Sequence, residues 1–458
     1  MAKFTLAEIC LATGGKLISG NVQDIQSFSG LCTDSRKIRH CELFIALEGD
    51  QFDGHQFVAQ VASQGAGGVL VSRKVAASAS VAVILCHDTL QAFQDIAAYH
   101  RRRFNLPVLA ITGSNGKTTT KDMVAALLGT RLQVLKTQAN FNNEIGLPQT
   151  LLELTAEHEV AVVEMGMRGL GQITALTQIA CPTAGIVTTV GETHLELLGS
   201  LDNIAAAKAE LVEAIPPEGF VVLNADNPYV AAMASKARCS VITFGIHKAS
   251  DLHGENIQNL ADGVAFDCAY QGRRFAVRVP ALGEHNVMNA LAALAAGFKL
   301  GMNEQDMVLG LAQFVPSGMR MAIERVGPYL VINDAYNASP ASTVSALTTL
   351  VGRKGKGAGR TVAILGDMLE LGTRTEEAHR EVGATAARLA VDLLVTVGPQ
   401  AQFIAAGAID NGHQATFACP NQAEAIPLLQ EKLVSGDVIL IKGSRGMKME
   451  QLIPYLVK

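Results

Sequence analysis

Tryptophan is absent from this 458-residue chain, aromatic residues make up 5% and charged residues 17%. With 49% of its residues hydrophobic, the chain can bury a core, which excludes a disordered, self-repelling polymer. Positive charge is not in excess. The 37 Lys and Arg stand against 42 Asp and Glu, a formal net charge of −5. That balance excludes a protein whose main partner is nucleic acid or an anionic membrane, while leaving room for a small anionic ligand at a local site. The eight cysteines are scattered with no Cys-x-x-Cys pair, so reduced thiols are expected and a disulfide framework or thiolate zinc site is not. No uncharged apolar run reaches the roughly 20 residues that span a membrane. The longest, 290–300, is interrupted by Gly297 and Lys299, and the first ten residues carry Glu8 within their apolar part, unlike a secretory leader. A cytoplasmic monomer is the expectation.

At roughly 150 residues per domain the length suggests about three domains. Short β-rich runs alternate with longer helical stretches through most of the chain, the signature of parallel sheets covered by helices. The first hundred residues read as a small α/β module, with strands at 68–71 and 81–85, that closes on Arg101-Arg-Arg103 and Pro107. The bland reading of that arginine run is a solvated helix end. From Val108 the pattern of strand, turn and helix repeats, with strands at 108–112, 160–163, 184–188 and 220–223. Two shorter alternating runs, 264–270 and 274–279, split at Gln271-Gly272 and predict an antiparallel hairpin before a helix at 286–297. A third α/β segment follows Pro316, with strands at 329–333, 361–365, 393–397 and 438–441. Each of these ends in a Gly, Asp or Asn turn, where open parallel sheets place ligand contacts. The expected domains are therefore 1–104, 105–315 and 316–458.

The sharpest motif is Thr112-Gly-Ser-Asn-Gly-Lys-Thr-Thr119, set between a strand and a helix. Gly113 and Gly116 let the backbone turn so that N–H groups of Ser114, Asn115 and their neighbours converge on phosphate. Lys117 reaches the outer phosphates, and Thr118, followed by Thr119, offers magnesium a hydroxyl. Only the shorter Gly-x-x-Gly-Lys-Thr form is present, because Ile111 stands where the longer pattern has glycine. Phosphoryl transfer also needs metal ligands, and Glu164, at a strand end, and His194, past another, lie toward the same predicted sheet edge. Read without context, Glu164 is a solvated turn carboxylate, His194 is structural, and Lys208 is an exposed lysine of an Ala-rich helix.

Taken together and in order, the loop 113–118, Glu164, His194, Lys208, the Asn286-Val-Met-Asn289 helix, Arg320 and Asp334 resemble the Mur ligases over essentially the whole chain. That family makes the amide bonds of bacterial cell-wall precursors with ATP. The resemblance implies an α/β protein of three domains: an N-terminal UDP-binding module, a central P-loop ATPase-like parallel sheet with an antiparallel insertion, and a C-terminal Rossmann-like domain. Within the family the likeness is to the branch that adds D-Ala-D-Ala to a UDP-N-acetylmuramoyl tripeptide. It rests on Asn140-Phe-Asn-Asn-Glu-Ile-Gly146, Asp334-Ala-Tyr-Asn-Ala-Ser-Pro340, Leu365-Gly-Asp-Met-Leu-Glu-Leu-Gly372 and Lys442-Gly-Ser-Arg-Gly-Met-Lys448, and on the absence of the Asp-Asn-Pro-Arg signature of diaminopimelate-adding relatives.

The resemblance also implies roles. Thr118 and Glu164 would hold one Mg2+ ion, and Glu164, His194 and a carbamylated Lys208 a second. Asn289 would recognise adenine with Asn286 positioning its helix, Arg320 would reach the γ-phosphate, and Asp334 would bind ribose. Thr33, Ser35 and Arg36, together with the stretch 44–57, would read the UDP-sugar, and Asn337, Asp367 and Ser444 the dipeptide. Substrate would draw the third domain onto the second. Alternatives are another Mur-type ligase, folylpolyglutamate synthase, or a P-loop switch that binds nucleotide without making a bond.

Overall fold

The computed structural model describes residues 2–20, 27–49, 52–76, 81–316, 318–353 and 359–457; Asp50 and Gln51 of the expected uridine-binding stretch lie outside them. The chain forms two compact units. One comprises Met1–Ala110, Leu132–Gly166 and Ile173–Ala184, the other Ile111–Arg131, Met167–Gln172 and Gly185–Lys458.

The first unit carries a five-stranded sheet in the order Lys16–Ser19, Ala82–Leu85, Gly68–Val71, Leu43–Ile45, Leu31–Cys32. Its pairings are parallel except for the edge strand Lys16–Ser19, which runs antiparallel to Ala82–Leu85. Phe44, Val69, Val71 and Val83 pack against Val58 and Val61 of the helix Val58–Ser63. Their near-continuous apolar runs are what a sheet buried on both faces requires. The helix Thr89–Arg101 starts where the Asp88 carboxylate accepts from Gln91 N–H. Its end corrects the bland reading of the arginine run. Arg101 is 6% exposed and donates to the carbonyls of Ala180 (3.0 Å), Phe104 (2.7 Å) and Leu106 (3.2 Å). The fork of guanidinium donors thus meets three backbone acceptors at once. The same unit pairs Val134–Lys136 in parallel with Val160–Glu164.

In the second unit Phe220–Asn224, Ser240–Gly245 and Leu252–Asn259 are parallel neighbours. Val264–Tyr270 and Arg273–Val279 then add antiparallel strands around the expected Gln271-Gly272 turn. The apolar run 290–300 belongs to the helix Glu284–Lys299, whose residues 289–297 are all buried. No helix among the described residues is long and apolar enough to cross a membrane. Farther along lies a six-stranded sheet in the order Ala322–Val326, Tyr329–Asp334, Val438–Lys442, Thr361–Gly366, Leu393–Val397, Thr416–Cys419. All its pairings are parallel but the edge pair of Ala322–Val326 with Tyr329–Asp334. Val438–Lys442 sits between Tyr329–Asp334 and Thr361–Gly366, so the loops after these three strands, beginning at residues 335, 367 and 443, emerge side by side.

Each unit buries a histidine against backbone groups. His379 is 0% and His100 3% exposed. His379 Nε2 accepts from Met368 N–H at 3.0 Å while its Nδ1–H donates to Thr375 O at 2.6 Å, and His100 Nε2 lies 3.0 Å from Leu154 O. Burial pulls both pKa values below the ordinary histidine value. The unfolded chain therefore binds more protons than the folded one once the pH drops through about 6.5. Their contribution is complete above that pH and is lost on going below it. We expect the urea midpoint of the intact protein to fall more steeply below pH ~6.5 than above it, by at most about 1.4 kcal/mol per pH unit per histidine. His379→Gln should flatten that slope; an unchanged slope in both His379→Gln and His100→Gln would refute this.

Candidate functional site

The strand Val108–Thr112 runs into the loop 113–116, and the helix Lys117–Leu128 begins at once after Gly116, a residue with no side chain to cap it. Gly113 and Gly116 hold φ values of +150° and +83°. A Cβ on Gly113 would collide with Thr188 Oγ1, and one on Gly116 would lie 2.5 Å from Asn289 Oδ1. Conformation and packing thus both demand glycine at these two turns. The loop is pinned from outside: Ser114 N–H donates to Thr189 O at 2.7 Å and Asn115 N–H to Thr189 Oγ1 at 3.0 Å. Ser114 Oγ donates to Gly191 O at 3.0 Å and accepts from Gly191 N–H at 2.9 Å. The uncapped helix start, with its partial positive charge, is therefore presented by a fixed loop and suits an anion. Lys117 folds back over it, Nζ donating to Gly113 O at 2.7 Å, and Thr118 is 6% exposed.

Lys208 comes from the helix Leu201–Ala214 and is only 2% exposed, which corrects its reading as an exposed lysine. Burial, with the nearby charge of Lys117, drives its pKa well below the usual lysine value. His194 stands at φ +57°, unusual for a residue with a Cβ. Its Nδ1 lies 2.6 Å from Glu370 Oε2. Burial pulls its pKa down, Glu370 pushes it up, and Lys117 and Lys208 both push it down. Lys117, His194 and Lys208, far apart in sequence, therefore share one electrostatic neighbourhood.

Other expected residues of this unit are engaged as follows. Asn289 accepts from Thr120 Oγ1 at 3.2 Å and donates to Asn286 Oδ1 at 3.0 Å, while Asn286 donates to Leu282 O at 2.7 Å. The two asparagines thus tie the helix Glu284–Lys299 to the helix that carries the phosphate loop. Ser339 Oγ reaches Asn115 Oδ1 at 3.4 Å. The Arg320 guanidinium lies over the Tyr336 ring, 3.6 Å from its centroid. Asp334 accepts from Lys442 Nζ at 2.5 Å and from Met321 N–H at 3.1 Å. Asn337 is exposed, and its carbonyl also accepts from Lys442, at 2.8 Å. Asp367 and Ser444 are 2% and 3% exposed. Asp367 accepts from Gln400 and Ala401 N–H at 3.0 and 2.6 Å, and Ser444 Oγ from Leu369 N–H at 2.8 Å. These last two side chains order the loops that leave the sheet.

Glu164, Thr33, Ser35 and Arg36 belong to the first unit. Glu164 is 2% exposed, so it is not a solvated turn carboxylate. Its backbone N–H donates to Thr137 Oγ1 at 3.0 Å and its Oε1 accepts from Asn142 Nδ2 at 2.7 Å. Thr33 Oγ1 accepts from Gln149 Nε2 at 3.3 Å, and Ser35 is 6% exposed. Arg36 makes bonds of 2.8 and 2.9 Å to Asp34, whose pKa that pairing lowers to about 2. Asn142, Tyr336, Glu370 and Lys442 carry contacts that sequence reasoning did not assign. All four lie inside the motifs 140–146, 334–340, 365–372 and 442–448, which was the signal in the sequence.

Three family models match: the Mur ligase family catalytic domain over residues 27–101, the Mur ligase middle domain over 111–297 and the Mur ligase glutamate ligase domain over 319–445. The UDP-N-acetylmuramoyl-tripeptide–D-alanyl-D-alanine ligase of Bacillus subtilis is 38% identical over 461 residues, covering 100% of this chain and 99% of the relative. A crystal structure of MurF from Acinetobacter baumannii superposes with TM-score 0.91 at 33% identity, covering 100% and 99% of the two chains. MurF from Thermotoga maritima in complex with ADP does so with TM-score 0.84 at 25% identity, covering 93% and 96%.

The loop geometry makes Gly116→Ala a specific test. The new methyl group meets Asn289 and the left-handed φ, so we expect ADP affinity to fall by at least ~10-fold, since φ > 0 is strained for residues other than glycine. Far-ultraviolet circular dichroism should stay unchanged. Wild-type ADP affinity measured by calorimetry on Gly116→Ala would show that the loop does not bind phosphate.

Proposed function

The chain belongs to the Mur ligase family, and we propose that it joins D-Ala-D-Ala to a UDP-N-acetylmuramoyl tripeptide at the expense of ATP, through an acyl phosphate. The observation that carries this is the pinned, glycine-turned loop at an uncapped helix start, with Lys117 over it and Lys208 and His194 beside it.

A carboxylate does not condense with an amine in water, because its oxygen leaves poorly. An oxygen of the tripeptide's terminal carboxylate attacks the γ-phosphorus of ATP, and ADP departs. The amine of D-Ala-D-Ala then attacks the carbonyl carbon of the acyl phosphate. The tetrahedral adduct loses a proton from nitrogen and expels phosphate, which carries off the former carboxylate oxygen. In the first step two anions must approach. The loop amides and Lys117 meet the transferring phosphoryl group with fixed positive charge, and Arg320, steadied on Tyr336, adds a second cation. Asn289 and Asp334 would meet adenine and ribose; in the structure Asn289 accepts from Thr120 Oγ1 and Asp334 from Lys442 Nζ.

Glu164 is a buried carboxylate that accepts from the Asn142 amide, and Thr118 opens the loop helix. With His194 these are hard oxygen and nitrogen donors of the kind magnesium takes, so their chemistry suits the two ions that the resemblance implies. When bound, magnesium would screen the charge shared by ATP and the carboxylate. Lys208 fits this set as a carbamate, an anionic form that a buried amine beside Lys117 can adopt and a buried ammonium cannot match. Thr33, Ser35 and Arg36 in 1–104 would take the UDP-sugar, 105–315 the nucleotide, and Asn337, Asp367 and Ser444 in 316–458 would shape the dipeptide pocket. One chain holds both the loop and Arg320, which suits a monomer. All eight cysteines are free, which suits the reducing cytoplasm.

Phosphate release should require the UDP-linked tripeptide together with D-Ala-D-Ala, and single amino acids should fail as acceptors. Release that depends on a folate and glutamate would overturn the reading. Lys208→Ala should lose at least ~100-fold in kcat, the scale of losing an electrostatic catalytic group, and short carboxylic acids should restore part of it. Absence of such rescue would remove the carbamate.

A further inference from the structure

The motif Leu365-Gly-Asp-Met-Leu-Glu-Leu-Gly372 has no role in the chemistry above except through Asp367. Yet its second half reaches back to the loop that bears His194. Glu370 lies in the segment matched by the glutamate ligase model and His194 in that matched by the middle-domain model. Three contacts join the two loops. Glu370 Oε2 is 2.6 Å from His194 Nδ1. Glu370 O accepts from Glu196 N–H at 3.3 Å. Arg374, two residues past the motif, pairs with Glu192, and its remaining nitrogens hold Glu377 at 3.1 Å and Glu381 at 3.3 Å.

The backbone marks the same place. His194 and Glu370 both adopt left-handed conformations, φ +57° and +65°, which cost free energy for residues with a Cβ and persist where the surroundings enforce them. Two such residues meeting through their side chains are not explained by packing, because their side chains are 27% and 45% exposed. At that exposure the pair adds little to stability. Its effect is directional. A carboxylate accepting at Nδ1 places the ring proton there and leaves the lone pair on Nε2.

We propose that Glu370 is a positioning residue for the ligase reaction: reaching from the C-terminal segment, it fixes the ring orientation and tautomer of His194, with Arg374 anchoring its loop to Glu192. Docking of the segment that receives the amine thereby completes the site where phosphoryl transfer occurs. This rests on the ligase reading above.

The test compares Glu370→Ala, Glu370→Gln and Arg374→Ala in the intact protein. Glu370→Ala should lower kcat by about 10–100-fold and raise the magnesium concentration for half-maximal rate, the usual scale for losing a group that orients a ligand histidine. KM for D-Ala-D-Ala should stay within about twofold, because no contact with the dipeptide is removed. Glu370→Gln, whose amide oxygen still accepts from Nδ1–H, should recover to within about threefold of wild type, and Arg374→Ala should fall between. Independently of substrate, long-range proton–nitrogen NMR of histidine-labelled, metal-free protein should show His194 with its proton on Nδ1. Its signal is identified by its loss in His194→Gln. That preference should be weakened in Glu370→Ala and kept in Glu370→Gln. Wild-type kcat and magnesium dependence in Glu370→Ala, or a His194 tautomer indifferent to Glu370, would overturn the proposal. If wild-type protein ligates nothing, the ligase reading fails, and the tautomer spectra still decide the role of Glu370.

Discussion

An uncapped helix start at Lys117 is the constraint on which the rest of the second unit depends. The residue before the helix Lys117–Leu128 is Gly116, which has no side chain with which to cap it, and the first amides of any helix must find their acceptors elsewhere. The surroundings keep it available. Thr188, Thr189 and Gly191 hold the loop through its backbone and Ser114, and Asn289 holds the helix through Thr120. None of these bonds uses the amides at the helix start. Rigidity is thereby supplied around the anion site without filling it, which is the meaning of preorganisation at a phosphate site.

The same logic governs the charges. Lys117 and Lys208 are near enough to depress the pKa of Lys208, and both depress that of His194. Three nitrogens so placed cannot all be protonated at modest cost in a buried setting. Anionic ligands relieve the strain, as does conversion of Lys208 to an anion. A chain of net charge −5 can thus take substrates that are all negative, because compensation is local and the global sign is irrelevant at these distances.

The sequence made the strands of the six-stranded sheet legible where they are buried on both faces. Thr361–Gly366, Leu393–Val397 and Val438–Lys442 lie within a residue of where their apolar runs place them. The edge strands Ala322–Val326 and Thr416–Cys419 were missed because half-exposed strands admit Glu324, Arg325 and Thr416, which erase the apolar run. Burial of long polar side chains was also illegible. Arg101 and Lys208 read as surface residues, since whether a long side chain turns inward depends on which carbonyls or charges tertiary packing brings to it. The phosphate loop was fully legible because its chemistry is contiguous in sequence.

What motif order alone could not supply is how residues far apart in sequence constrain one another. Glu164 and His194 each meet a side chain to which no chemistry was assigned, Asn142 from 140–146 and Glu370 from 365–372. An amide that donates to a carboxylate leaves its charge in place, and an imidazole held at Nδ1 keeps the lone pair of Nε2. In both cases the partner fixes direction without consuming the group. The long motifs of this chain therefore divide into residues that touch ligand and residues that aim them. The aiming residues need geometry, not reactivity, and so carry no chemical signature of their own that a reader of the sequence could weigh.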